Sequence, residues 1–272
     1  MARLQSLFAA HDLTKGTPWK RIVQFAVPLL LGNIAQQFYN TADSIVVGRY
    51  IGDNALAAVG SAGPVLHLLL VLFVGIAVGA GIMVSQYFGA KDRQQLSQTI
   101  GTCIVLTAFA SLTIMVVGPM VSRPLLELLN TPPSIIDWCT DYLNIFFLGS
   151  AGFSYYNILA GVLRGLGDSF SALLYLLVAT ILNVVLDIVF VAFFGMGVPG
   201  VALATVVAQA VSAVFCLLRL LKMRDVFDLN WSMLKINREL TRQIIKLGLP
   251  SGLTQAVFSM AMIVVQSLTN SF

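Results

Sequence analysis

Phe170-Ser-Ala-Leu-Leu-Tyr-Leu-Leu-Val-Ala-Thr-Ile-Leu-Asn183-Val-Val-Leu-Asp187-Ile-Val-Phe-Val-Ala-Phe-Phe194 is a run of twenty-five residues with a single charge, closed by Gly195-Met-Gly-Val-Pro-Gly200. A helix needs about 20 mostly apolar residues, at 1.5 Å each, to cross roughly 30 Å of hydrocarbon. This run is long enough, and the glycine- and proline-rich turn ends it. A second apolar run, Val198–Leu221, starts at once. So short a turn makes the two spans neighbours.

Working outward, four more spans lie upstream, near Ile22–Gly48, Ala55–Tyr87, Thr99–Val121 and Ile136–Leu163. The second and fourth exceed the membrane thickness, so they should tilt or extend beyond it. Of 272 residues, 58% are hydrophobic and 10% charged, against about a quarter charged in a soluble domain. Water could not solvate such a surface, whereas lipid tails can. The expected fold is all-α: a polytopic membrane helix bundle of six transmembrane helices plus a truncated seventh. The N-terminal stretch Met1–Trp19 lacks the continuous apolar core of a cleavable signal.

Lysine and arginine placement sets the expected orientation. With the N-terminus in the cytoplasm, fourteen basic residues fall on inner segments, among them Lys91, Arg93, Arg164 and Lys222, and only Arg49 and Arg123 fall outside. The net charge of +4 is confined to particular loops and is not a nucleic-acid signature. Cys103, Cys139 and Cys216 are far apart and form no CxxC pair, and His11 and His67 suggest no metal site.

Residues 1–222 are expected to form a six-helix lobe, 223–241 a polar, basic connector around Trp231 that skims the membrane, and 242–272 the first helix of a second lobe. Lys20-Arg21-Ile22 through Pro28 is similar to Arg242-Gln-Ile244 through Pro250, at an offset of 222 residues. A six-span repeat re-enters the membrane in the same sense. That implies two bundles related by an axis along the membrane normal, and a protein about twice this length.

Charged side chains inside a membrane cost at least about 2.5–3.5 kcal/mol and are rarely kept without a use. Asp43 lies in the first span and Asp187 in the fifth, where Asn183 shares its helical face. Thr205, in the sixth span, lies at a similar depth below the outer turn. Two carboxylates, an amide oxygen and a hydroxyl suit a hard cation such as Na⁺. Two carboxyls crowded in low dielectric also resist ionising together, which favours one shared proton. Asp43 could instead snorkel to the interface or pair with Arg49. Asp137 and Asp141 read as solvated, and Gly75 and Gly79, spaced as GxxxG, as helix packing. Pro28 is a kink that can serve as a hinge. No nucleotide-binding or hydrolytic motif occurs, so the chain reads as a non-enzyme.

The run Gln36-Gln-Phe-Tyr39-Asn-Thr-Ala-Asp43-Ser-Ile-Val-Val-Gly48-Arg49 resembles the first helix of the multidrug and toxic compound extrusion (MATE) family. Ser85-Gln-Tyr-Phe-Gly-Ala-Lys-Asp92, Leu163-Arg-Gly-Leu-Gly-Asp168 and Asn183-Val-Val-Leu-Asp187 resemble its later motifs. The resemblance implies a bacterial inner-membrane antiporter of twelve helices in two lobes. Such a protein expels cationic amphiphilic small molecules against entry of H⁺ or Na⁺, needs no other cofactor, and works as a monomer. It implies an ion site at Asp43, Asn183, Asp187 and Thr205, with Gln36 and Tyr39 in the substrate cavity. Gln255–Gln266 lacks the acidic residue that some members carry in the seventh helix, which favours coupling through the first lobe.

Two other functions stay open. A lipid-linked oligosaccharide flippase of the same superfamily would need a more cationic cavity than these few intramembrane arginines offer. A non-catalytic membrane scaffold would need no buried acids.

Overall fold

The computed structural model describes residues 17–223, 225–228, 230 and 233–270. The expectations for Met1–Gly16, and the placing of Arg224 and Trp231 in the connector, lie outside the described residues. Among the described residues eight α-helices follow one another: α1 Pro18–Tyr50, α2 Asp53–Gly89, α3 Arg93–Leu128, α4 Ile136–Leu148, α5 Ser150–Gly165, α6 Ser169–Asp187, α7 Gly197–Leu221 and α8 Arg238–Asn270. No strand occurs among the described residues.

Among the described residues four helices are long and apolar enough to cross a membrane: α3, α6 with its extension to Phe193, α7 and α8. The count rises to six when two bent pairs are each taken as one span. One is α2, bent by 45° between Leu68 and Phe73, and the other is α4 with α5, bent by 52°. The helix α1 is as long as these, but Asn33, Gln36, Gln37, Asn40 and Asp43 make it more polar. The predicted fourth span is therefore two helices hinged at Gly149. A Cβ on Gly149 would overlap the side chain of Val206, so α7 presses against the chain where it turns.

The helices alternate in direction, which gathers Lys91, Arg93, Arg164, Arg219, Lys222 and Lys235 at one end of the bundle, the basic end. Asp92 caps α3 there by accepting from Gln95 N at 3.0 Å, and Asp168 caps α6 by accepting from Ser171 N at 3.1 Å. Asp168 is also gripped by Arg219, Nε to Oδ2 2.8 Å. At the opposite end Arg123 pairs with Asp137 at 3.1 Å and Glu127 at 3.2 Å.

Of three apolar clusters among the described residues, the two larger stack along the bundle. One joins Val47, Phe73, Leu126, Leu143, Phe147 and Val201 towards the opposite end. The other joins Val84, Leu96, Leu159, Leu163, Leu220 and Phe227 towards the basic end. Phe109, Met120, Phe193 and Phe194 point outward, as a lipid-facing surface requires. The three cysteines are wholly enclosed.

The connector is short, because α8 begins at Arg238 rather than 242. Its described part is pinned to the start of α3. Arg93 makes a two-pronged ion pair with Asp228, both contacts 2.8 Å, and reaches Asp225 O at 2.7 Å. Asp228 N donates to Ser97 Oγ at 2.9 Å, and Thr102 Oγ1 to Lys235 O at 3.2 Å.

Both α1 and α8 are 33 residues long with a proline in their first half, Pro28 and Pro250. Near the basic end α8 crosses α2 backbone to backbone. A Cβ on Gly79 would fall on the carbonyl of Ile244, and one on Gly248 on the carbonyl of Gly75. Four glycines, 75 and 79 facing 248 and 252, thus replace side chains at this crossing, as small residues do where membrane helices approach closely. Towards the opposite end the same two helices separate around a groove of about 510 Å³, whose walls include His67, Phe153, Gln255, Phe258 and Met262.

Candidate cation-binding site

Asp43 sits two turns before the end of α1, Asn183 and Asp187 in the last turns of α6, and Thr205 in the third turn of α7. Asn183 and Asp187, four apart, project from one face, and the short link to α7 returns Thr205 to their level. All four side chains are enclosed: Asp43 is 8% exposed, Thr205 4%, and Asn183 and Asp187 0%. Thr205 joins the three helices. Its hydroxyl lies 3.5 Å from Asp43 Oδ2, to which it donates, and accepts from Asn183 Nδ2 at 3.3 Å. Asp43 turns to Thr205 rather than to Arg49.

Five oxygens in this space have no hydrogen-bond partner: Tyr39 Oη, Asp43 Oδ1, Asn183 Oδ1 and both oxygens of Asp187. Buried polar atoms are normally paired, and a cluster of exceptions calls for a physical reason. Ionised carboxylates accept hydrogen bonds and cannot donate them. Asp43 and Asp187 are within electrostatic reach of each other, and two carboxyls can share a hydrogen bond only when one of them carries a proton. The arrangement thus has two ways to be satisfied, a proton shared between the acids or a small cation held by the bare oxygens. Among the described residues no three His, Cys, Asp or Glu side chains converge to hold a metal; the unpartnered oxygens here are those of two carboxyls, an amide and a phenol.

Tyr39, 3% exposed, belongs to this cluster. Gln36 does not: it is half-buried and lines a separate cavity with Pro28, between α1, α5 and α6. The two residues expected in one cavity therefore face different spaces.

Three features went unread in the sequence. Directly after Asp187 the helix widens into a π segment, Ile188–Phe193, a form often found at functional sites. Tyr142 of α4, 7% exposed, is within electrostatic reach of both acids. Gln209, one turn beyond Thr205, is 3% exposed with its Oε1 unpartnered. The buried amide of Gln209 was a usable signal. Tyr142 and the π segment had none, since both lie in ordinary apolar runs.

The MatE family profile matches residues 28–189. Among curated proteins, the chain is 32% identical over 264 residues to a probable multidrug resistance protein, YpnP, of Bacillus subtilis, covering 97% of this chain and 59% of that protein. It is 25% identical to the multidrug export protein MepA of Staphylococcus aureus, covering 88% of this chain and 53% of that one. Among solved structures it matches an outward-facing multidrug resistance MATE family transporter of the MOP superfamily with a TM-score of 0.84 and 30% identity, over 91% of this chain and 55% of that one. The chain thus spans between half and three-fifths of the length of these relatives.

Proposed function

Because this chain belongs to the MatE family of multidrug efflux transporters, we propose that it forms the ion-coupling part of a secondary active antiporter. The full-length protein exports cationic amphiphilic small molecules from a bacterial cell against entry of H⁺ or Na⁺. It resides in the cytoplasmic membrane with its basic end and N-terminus inside, and acts as a monomer. The observation that carries this reading is the orphaned oxygen cluster of Asp43, Asn183 and Asp187, bridged by Thr205.

The mechanism follows from charge. An inward-moving cation delivers about 2.3 kcal/mol per 100 mV. When the acid pair is bare, its oxygens repel one another and await a cation. A proton or Na⁺ satisfies them and draws α1 towards α6 and α7. Release of that ion frees α1 again, with Pro28 as the hinge. The groove between α2 and α8 is shut by glycine contacts at the basic end, and at the outer end Gln266 Nε2 donates to Ser61 Oγ across it at 3.1 Å. That shape supports an alternating path along this seam, with Phe258 and Met262 as adaptable apolar walls.

Efflux of a fluorescent organic cation from cells expressing the full-length gene tests the proposal. Asp43→Asn and Asp187→Asn should each abolish gradient-driven efflux while leaving the protein in the membrane. Efflux at the unmodified rate in both variants would remove the acids from the mechanism.

A further inference from the structure

Towards the basic end, α1, α5 and α6 enclose a cavity of about 330 Å³. Its polar walls are Asn33, Gln36, Asn157, Arg164 and Ser169. Its chemistry is the reverse of the acid cluster: no carboxylate lines it, and its charge is the guanidinium of Arg164.

Arg164 sits in the last turn of α5 and is half-buried. The acid nearest in sequence, Asp168, is committed elsewhere. Its Oδ2 takes Arg219 Nε at 2.8 Å and Ser171 Oγ at 2.9 Å, and its Oδ1 takes Ser171 N at 3.1 Å. Tyr156, beside Arg164, donates its hydroxyl to Ala172 O at 3.4 Å. Asn157 spends its amide on Phe153 O at 2.8 Å. Among the described residues Arg164 has no hydrogen-bond or ion-pair partner.

A half-buried guanidinium with no partner in the protein is stabilised by an anion that pairs with it. Its planar fork of five donors matches the paired oxygens of a carboxylate or phosphate. The amides of Asn33 and Gln36 and the hydroxyl of Ser169 add neutral donors around the same space. Pro28, Leu173 and Leu176 supply apolar wall beside them.

We propose that this cavity binds the anionic oxygen group, carboxylate or phosphate monoester, of an amphiphile, with the guanidinium of Arg164 as its anchor. The site goes beyond the ion-coupling reading. It lies seven residues, about 10 Å along α1, from Asp43, and needs no ion gradient to fill.

The test is titration of the purified protein, in phosphatidylcholine nanodiscs, with dodecyl phosphate, and with dodecyltrimethylammonium as the cationic counterpart. Dodecyl phosphate should bind saturably, and Arg164→Gln should weaken it by about tenfold or more, with Arg164→Lys keeping part of the affinity. Asp43→Asn should leave dodecyl phosphate binding unchanged, which separates this site from the coupling proposal. Should Arg164→Gln fail to fold, Asn33→Leu narrows the cavity from α1 with Arg164 intact and should produce the same loss. Unmodified affinity in whichever of these two variants folds would overturn the site. Competition by inorganic phosphate identifies a soluble anion as the source. Competition by phosphatidylglycerol in the disc, with inorganic phosphate inert, identifies a lipid headgroup.

Discussion

Thr205 Oγ1 stands 3.5 Å from Asp43 Oδ2 and 3.3 Å from Asn183 Nδ2. One hydroxyl therefore ties α1 to both α6 and α7 at a level where other buried polar atoms of the same helices have no partner.

Thr205→Val keeps the shape of the side chain and removes both bonds, leaving buried polar atoms unpaired. The expected cost is about 1–3 kcal/mol, read as a lower thermal midpoint in nanodiscs. Thr205→Ser restores the hydroxyl and should recover most of the loss. Equal midpoints for the valine and serine variants would mean that the hydroxyl ties nothing.

Ligand linkage gives a second readout of the oxygen cluster. If Na⁺ fills it, replacing choline chloride with sodium chloride at fixed pH should raise the thermal midpoint. At one hundred times the dissociation constant the gain is about 2.7 kcal/mol. The gain should vanish in Asp187→Asn. A midpoint indifferent to Na⁺ but sensitive to pH would assign the cluster to protons.

The glycine crossing of α2 and α8 leaves no room for a methyl group. Gly79→Ala places one on the carbonyl of Ile244, where backbone rather than a pliable side chain must yield. Overpacking of this kind costs about 1–3 kcal/mol. Gly60→Ala, on the same helix with open space around it, is the control. Cross-linking between cysteines placed at the ends of α2 and α8 should fall in the first variant and stay constant in the second.

Asp168 is buried, at 1% side-chain exposure, and depends on Arg219, at 21%. Arg219→Ala strands that carboxylate, and breaking such a pair costs about 3–5 kcal/mol. The double change Arg219→Ala with Asp168→Asn removes the stranded charge and should be milder than Arg219→Ala alone. Thermal unfolding of the three proteins settles the order.

Arg93 and Asp228 are exposed, and the guanidinium holds the Asp228 carboxyl below the usual carboxylate range. A depressed carboxyl stabilises the folded form above its unfolded value, near 3.9, and loses that contribution as pH falls through the folded value. The pair should thus hold the connector at neutral pH and release it only in acid. Asp228→Asn should speed hydrogen exchange at residues 225–228 at neutral pH with little change in global midpoint, because exposed pairs contribute little.

Much of this arrangement was legible before any coordinates. Asp43 and Asp187 stood out because an acid in an apolar run is expensive, and Asn183 because it lies one turn from Asp187. Thr205 followed from the shortness of the turn at Gly195–Gly200. The break at Gly149 was not legible, since it answers to Val206, a residue distant in sequence. Nor was the π segment after Asp187, because Ile188–Phe193 is as apolar as a regular helix would be. Gln36 and Tyr39 were grouped by the family resemblance. Three residues along a helix leave the side chains about 60° and 4.5 Å apart, so Gln36 at one edge of the face borders the cavity with α5 while Tyr39 meets the acids.

Cys103, Cys139 and Cys216 are all sealed, each at 0% exposure. Thiols in apolar surroundings without access to water are inert to polar reagents. The three thiols of this chain are therefore silent towards maleimides, and a pair of cysteines introduced on the α2 and α8 rims of the groove could carry the labels of a spectroscopic ruler between these helices without removing Cys103, Cys139 or Cys216.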